Sequence, residues 1–155
     1  MSALLSTPVR RGWLAQLLSC EPHQIVGPPD NPYLKRWFLL PGNRWGNVYL
    51  HEFMKSDDPD ALHNHPWGFM SICLRRGYVE VTESGRRART AGSVAIHRAG
   101  FRHRIEVTES GAASGRPCWT LVVTGPKVQE WGFFCGRGRF VPWTQFDGGC
   151  GEDQR

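Results

Sequence analysis

The chain has 155 residues, 40% of them apolar, and a net charge of +5 from 19 basic and 14 acidic side chains. That length fits one domain with a core large enough to fold without a structural metal or a disulfide staple, and no apolar run approaches the roughly 20 residues of a membrane-spanning helix. Arginine carries the basic balance, in the clusters Arg86-Arg87-Arg89 and Arg98-Arg102-Arg104, but Asp57, Asp58, Asp60, Glu80 and Glu83 interrupt any basic stripe; no recognition helix or RNA-binding aromatic motif accompanies them, so a nucleic-acid partner is not expected.

In chain order, the first segment, VRRGWLAQLLSC, has the outline of a secretion signal. Its apolar part is only about seven residues long, the lower limit for such a signal, and contains Gln16. Trp13, Leu14, Leu17 and Leu18 recur at helical spacing and predict a short amphipathic helix within an arm over residues 1–25. After the loop VGPPDNP, a series of strands is predicted: 33–40, 47–53, 69–75, 78–82, 93–97, 102–107, 118–124 and 129–135. β-branched and aromatic residues fill these runs, while Gly, Pro, Asn and Asp fill the gaps. Frequent turns between short strands predict an all-β sandwich, jelly roll or barrel over residues 26–146, followed by a disordered tail over 147–155. Met70, Ile72 and Leu74 alternate and read as core. The cysteines, at 20, 73, 118, 135 and 150, are odd in number and irregularly spaced. They predict no disulfide framework and a cytoplasmic location, with Cys73 and Cys118 as small core residues.

Chemistry concentrates in the histidines. Five of the six, His51, His63, His65, His97 and His103, fall within 53 residues. On a strand, alternate residues share a face, so His63 and His65 can project together and offer two neutral nitrogens to one ion. A His-x-His pair alone is a weak signal, since two polar loop residues give the same pattern, and a third ligand has to come from another strand.

At this point the chain resembles the cupin family. The first cupin motif reads Gly-x5-His-x-His-x3–4-Glu-x6-Gly, and here His63, His65 and Gly77 stand in register. The second reads Gly-x5-Pro-x-Gly-x2-His-x3-Asn, and here Gly92, Gly100 and His103 stand in register. Asp57 replaces the first glycine, Met70 the glutamate, Arg98 the proline and Val107 the asparagine. The resemblance implies a double-stranded β-helix barrel and a three-histidine metal site of His63, His65 and His103, as in cupins similar to thiol dioxygenases. Since the motif's glutamate is ordinarily a ligand, its absence puts a four-ligand site in doubt. Fe(II) is the favoured ion, with Zn, Mn or Ni as other divalent candidates. Trp67, His97, Arg98 and Arg102 are the expected substrate-binding residues, the two arginines for an acidic group. Catalytic residues beyond the ligands are not assigned. The activity implied is a mononuclear non-haem iron oxygenase acting on a small molecule; the other reading is a non-catalytic metal- or ligand-binding cupin with an accessory role. Trp119, Trp131 and Trp143 are expected to supply core or homodimer-interface area.

Overall fold

The computed structural model describes residues 12–57, 61–107, 117–146 and 150. Its elements are the helix α1 (Trp13–Leu18) and twelve strands: β1 (Gln24–Val26), β2 (Leu34–Phe38), β3 (Asn47–Phe53), β4 (Leu62–His63), β5 (Phe69–Arg75), β6 (Gly77–Thr82), β7 (Gly85–Thr90), β8 (Val94–His97), β9 (Arg104–Val107), β10 (Cys118–Thr124), β11 (Gly132–Cys135) and β12 (Arg139–Pro142). One sheet has the order β1-β2-β3-β10-β5-β8. Two smaller sheets, β12-β11-β4 and β7-β6-β9, are joined by a single antiparallel bridge between His63 and His103. Two of the expected metal ligands thus stitch these two sheets together through their backbones.

All the strand pairs are antiparallel, as a jelly roll requires. The predicted runs 47–53, 69–75 and 118–124 coincide with β3, β5 and β10, the adjacent strands of the first sheet that carry most of the β-branched residues. Four strands escape the sequence reading, and each has a physical reason: β1 is only three half-buried residues at the end of the predicted arm. In β7, GRRART, only Arg89 is buried, so no apolar alternation marks it. Strand β4 is two residues long, and β12 opens with an exposed arginine and phenylalanine. The arm contributes more than a helix: β1 extends the first sheet by pairing with β2, and the Trp13 indole donates to the Phe38 carbonyl.

Burial on β5 corrects the predicted face. Phe69, Ser71 and Cys73 point inward, whereas Leu74 is exposed and Met70 and Ile72 are only half-buried. The main core cluster joins Leu34, Phe53, Cys73, Tyr78, Ile105, Val107 and Cys118. Cys73 and Cys118 are there as small apolar residues, and burial pushes the Cys118 thiol up to about 12. The reading against disulfides fails at one pair: Cys135 of β11 is bonded to Cys150. This bond sits in a second cluster with Ala61, Val141 and Phe146, which covers the end of the barrel formed by the small β12-β11-β4 sheet. Apart from Cys150, the predicted tail lies outside the described residues, as does most of the arm before α1. Among the described residues no helix is long and apolar enough to cross a membrane.

Candidate metal centre

Between the two faces lies a cavity of about 910 Å³. Its lining includes His63, His65 and His103, and their aim follows from local hydrogen bonding. The His63 amide donates to the His103 carbonyl (2.8 Å) and the His103 amide to the His63 carbonyl (3.0 Å), which brings the two Cα atoms opposite each other. Asn64 turns the other way: its side chain accepts from the Gly132 amide, and its own amide donates to the Gly132 carbonyl. His65 is then on the same side as His63, and the Gln129 amide group clamps this loop by donating to the carbonyls of His65 and Ala99. The period-2 reading of ALHNHPW holds, although only Leu62 and His63 belong to a strand.

The three rings form a near-equilateral triangle, with centroids 5.0, 5.0 and 5.1 Å apart. One nitrogen from each lies within 4.8 Å of the others, so the three could hold a metal ion together. His65 Nε2 and His103 Nε2 face each other at 2.8 Å. Burial drives His63 and His65 towards neutral imidazoles. The His63 pKa falls to about 4, through burial first, with Asp57 opposing and His103 assisting. His65 lies well below the ordinary histidine value, through burial first and then the neighbouring histidines. Neutral imidazole is the form that ligates.

Behind His103 stands a group that the sequence reading treated only as a break in the basic surface. Glu80 on β6 is 2% exposed, and its Oε1 accepts from His103 Nδ1 at 2.9 Å. That bond leaves the lone pair of His103 on Nε2, directed at the triangle's centre. Arg89 on β7 donates to Oε2 of the same carboxylate, and both side chains are buried. Burial alone would raise the Glu80 pKa, but the hydrogen bonds from His103 and Arg89 outweigh it and hold the carboxyl at about 2. His97 Nε2 lies 2.8 Å from Glu80 Oε1 but off the hydrogen-bonding direction, so this contact is electrostatic only. Glu80, His97 and His103 also fall within ligand distance of one another. Arg89 already neutralises Glu80 there, which makes the three-histidine group the better ion site. A corresponding carboxylate backs His63: Asp57 Oδ2 is 3.6 Å from His63 Nδ1 and also accepts from the Ile105 amide, while Tyr33 donates to Oδ1.

The motif's glutamate position carries no carboxylate. Phe69 packs on His65 with centroids 4.5 Å apart, and Met70 does not line the cavity. Of the expected substrate-binding residues, Trp67 and His97 line the cavity; Arg98 and Arg102 do not. Arg102 pairs with Glu83 at the surface and covers the Phe134 ring, and Arg98 is exposed. Trp131 and Trp143, expected in core or interface, stack on each other in the cavity wall, while Trp119 stacks on Trp37. Glu80 had one signal in the sequence, a charged residue two positions from an inward aromatic on the same strand, whereas Arg89 had none, since β7 has no apolar face. In β6, Tyr78 and Glu80 are the buried pair.

No family profile and no curated protein sequence matches the chain. Among solved structures, a proposed mannose-6-phosphate isomerase from Ralstonia eutropha JMP134 superposes with a TM-score of 0.53 at 19% identity, over 65% of this chain and 89% of that one. Fe(II) HppE gives 0.51 at 10% identity, over 63% of this chain and 52% of that one. An RmlC-like cupin from Shewanella frigidimarina NCIMB 400 gives 0.46 at 15% identity, over 63% and 79%. At such identities the likeness concerns the fold and not the reaction. The chain shares its antiparallel jelly-roll fold with the first two of these structures and turns its histidines to the interior.

Proposed function

We propose that the chain binds one divalent metal ion through His63, His65 and His103, Fe(II) in preference to Zn, Mn or Ni, and oxidises a small molecule held in the cavity. The observation that carries this reading is the triangle of three imidazoles in the cavity wall, one of them hydrogen-bonded through Nδ1 to Glu80 so that its Nε2 lone pair turns inward. Glu80 keeps the proton of His103 on Nδ1, and Arg89 keeps Glu80 ionised. Phe69 and Phe133 pack against the imidazoles, and with Trp67 they line the same space. An Fe(II) ion held by three neutral ligands would supply redox chemistry towards dioxygen, with positions left open for a substrate.

Hydrolysis is less well supported. The two carboxylates that line the cavity, Asp57 and Glu80, are both already committed to hydrogen bonds, so neither is free as a general base. A cytoplasmic location and a homodimer belong to the same proposal. Cys20, Cys73 and Cys118 are free thiols, and the edge strand β8 exposes Val94 and Ile96.

Elemental analysis of the purified protein tests the site. About one metal ion per chain is expected, with most of it lost in His63→Ala and in His103→Ala. A metal-free wild type, or variants that keep the full complement, overturns the assignment. Oxygen uptake by the Fe(II)-loaded protein, screened against thiols and small acids, tests the reaction. Stoichiometric metal with no uptake leaves a non-catalytic binding cupin as the reading.

A further inference from the structure

Opposite the histidines, the cavity is floored by a single row of polar side chains that the metal site does not use. Gln24, Arg36, His51 and Thr120 are successive cross-strand partners on β1, β2, β3 and β10, and all four line the cavity. Arg36 donates from Nε to His51 Nε2 (2.8 Å) and from Nη1 to Gln24 Oε1 (3.0 Å), with its guanidinium carbon 5.0 Å from the centre of the Tyr49 ring. Two of its five N–H donors are thus used, and among the described residues no other hydrogen-bond partner meets the remaining three. Among the described residues no carboxylate pairs with it, in contrast to Arg86, Arg89, Arg102 and Arg104. A cation at this depth without a counter-ion is costly, and burial lowers its pKa from the ordinary arginine value.

Two further atoms in the row are buried and unpartnered: His51 Nδ1 and Thr120 Oγ1, on residues that are 7% and 1% exposed. The state of His51 follows from geometry. Arginine can only donate, so His51 Nε2 accepts, and the ring proton of the neutral imidazole sits on Nδ1. The row therefore offers a cation, an imidazole N–H and a hydroxyl, and no free acceptor stronger than that hydroxyl. Buried donors left open around a guanidinium are what an anion would satisfy.

We propose that Arg36, with His51 Nδ1 and Thr120 Oγ1, binds the carboxylate of a small organic acid in the cavity, and that its apolar part lies against the aromatic wall leading to the histidines. One guanidinium matches a monoanion; a phosphate would call for a second cation or a cluster of backbone amides, and the row supplies neither. Arg36 and the three histidines line one cavity, so one molecule can span the two ends. That the acid is the substrate rests on the oxidation proposed above; that it binds does not.

The test is calorimetry on EDTA-treated, metal-free protein with sodium hexanoate and hexanamide as probes. Hexanoate is expected to bind at least about tenfold more tightly than hexanamide, and Arg36→Met to reduce it to the level of the amide. Thr120→Val is expected to weaken hexanoate severalfold. Equal affinity for the two probes, no hexanoate binding, or an undiminished Arg36→Met overturns the inference, and the wild-type comparison decides if the variant does not fold. Inorganic phosphate that displaces hexanoate at equal concentration overturns the carboxylate assignment. Metal content is measured in parallel and should be unchanged in Arg36→Met. A chain that takes up metal but not hexanoate loses this inference alone, and one that binds hexanoate without metal loses only the metal reading.

Discussion

Replacing Arg89 with methionine keeps most of the side chain's volume and removes its charge and its donors. In the native protein Arg89 Nε lies 3.0 Å from Glu80 Oε2, and the side chains are 8% and 3% exposed. The variant leaves a buried carboxylate with the imidazoles of His103 and His97 as its remaining partners. Breaking a buried ion pair on one side costs about 3–5 kcal/mol. For a chain of this length that lowers the melting temperature by about 6–20 °C. The comparison is Arg86→Met on the same strand: Arg86 is 58% exposed, and its partner Glu106 keeps Arg104 at 2.6 Å. That change should cost no more than about 1 kcal/mol. The pH dependence follows from Glu80. A carboxyl held at about 2 in the folded chain, against an ordinary 4.5, contributes stability above pH 4.5 that is lost as pH falls towards 2. The full effect is about 3 kcal/mol. In Arg89→Met two of the three hydrogen bonds that depress this pKa are gone, so acid destabilisation between pH 4.5 and 2 should be smaller and centred at higher pH. Urea unfolding of both variants at pH 7, 4 and 3 measures all of this. If Arg89→Met costs less than about 1 kcal/mol at pH 7, or costs no more than Arg86→Met, the buried pair does not hold Glu80 in place.

Alkylation of the native, unreduced protein should modify Cys20 rapidly and leave Cys73 and Cys118 unmodified, since the first is exposed and the others are buried with raised pKa values; peptide mass mapping after a short iodoacetamide pulse checks this, and fast labelling of Cys118 would contradict the packing. Cys135→Ser should destabilise the chain by about 3 kcal/mol, the loop-closure value for a separation of 15 residues, as read by unfolding without reductant. Gly132→Ala should cost about 1–3 kcal/mol or more, because a Cβ there would collide with the Val141 carbonyl oxygen on β12, and backbone cannot move aside as a side-chain end can; stability equal to wild type would mean that the β11–β12 register is wrong.

The fold was readable where inward and outward residues differ in kind. β3, β5 and β10 lie side by side at the middle of one sheet, with a periodicity of two that survives in composition alone. β7 was not readable, because a strand whose one buried side chain is an arginine has no apolar face to announce it. The misassigned face of β5 has a related cause. Ser71 is inward because it lines the cavity and Leu74 is outward near the strand's end, so polarity on this strand follows the cavity and not the core. The Cys135–Cys150 bond had no signature in spacing, since the chain folds back by way of β12 to close it.

The site shows the same division at closer range. Three histidines were legible because motif spacing encodes which residues face inward on β4 and at the start of β9. The carboxylate expected at Met70 was legible only as a loss, since strand pairing is not written in local spacing. Glu80 stands two strands after His63 in sequence, and it reaches the histidines because β6 pairs with β9, with Glu80 opposite Ile105, two residues beyond His103. A glutamate at position 69 or 70 would be a ligand candidate in its own right; Glu80 bonds to His103 Nδ1 instead and acts through the imidazole. The same holds for Arg36, whose significance lies in what does not surround it. Arg98 and Arg102 were singled out because they are close in sequence to His103, yet proximity along a strand end leaves them at the surface. Arg36 is 27 positions before His63 and faces the same cavity from the opposite sheet, because β2 and β3 carry it beneath the histidines. In a two-sheet barrel the residues that complete an interior site come from across the sandwich, and only the pairing order reveals them.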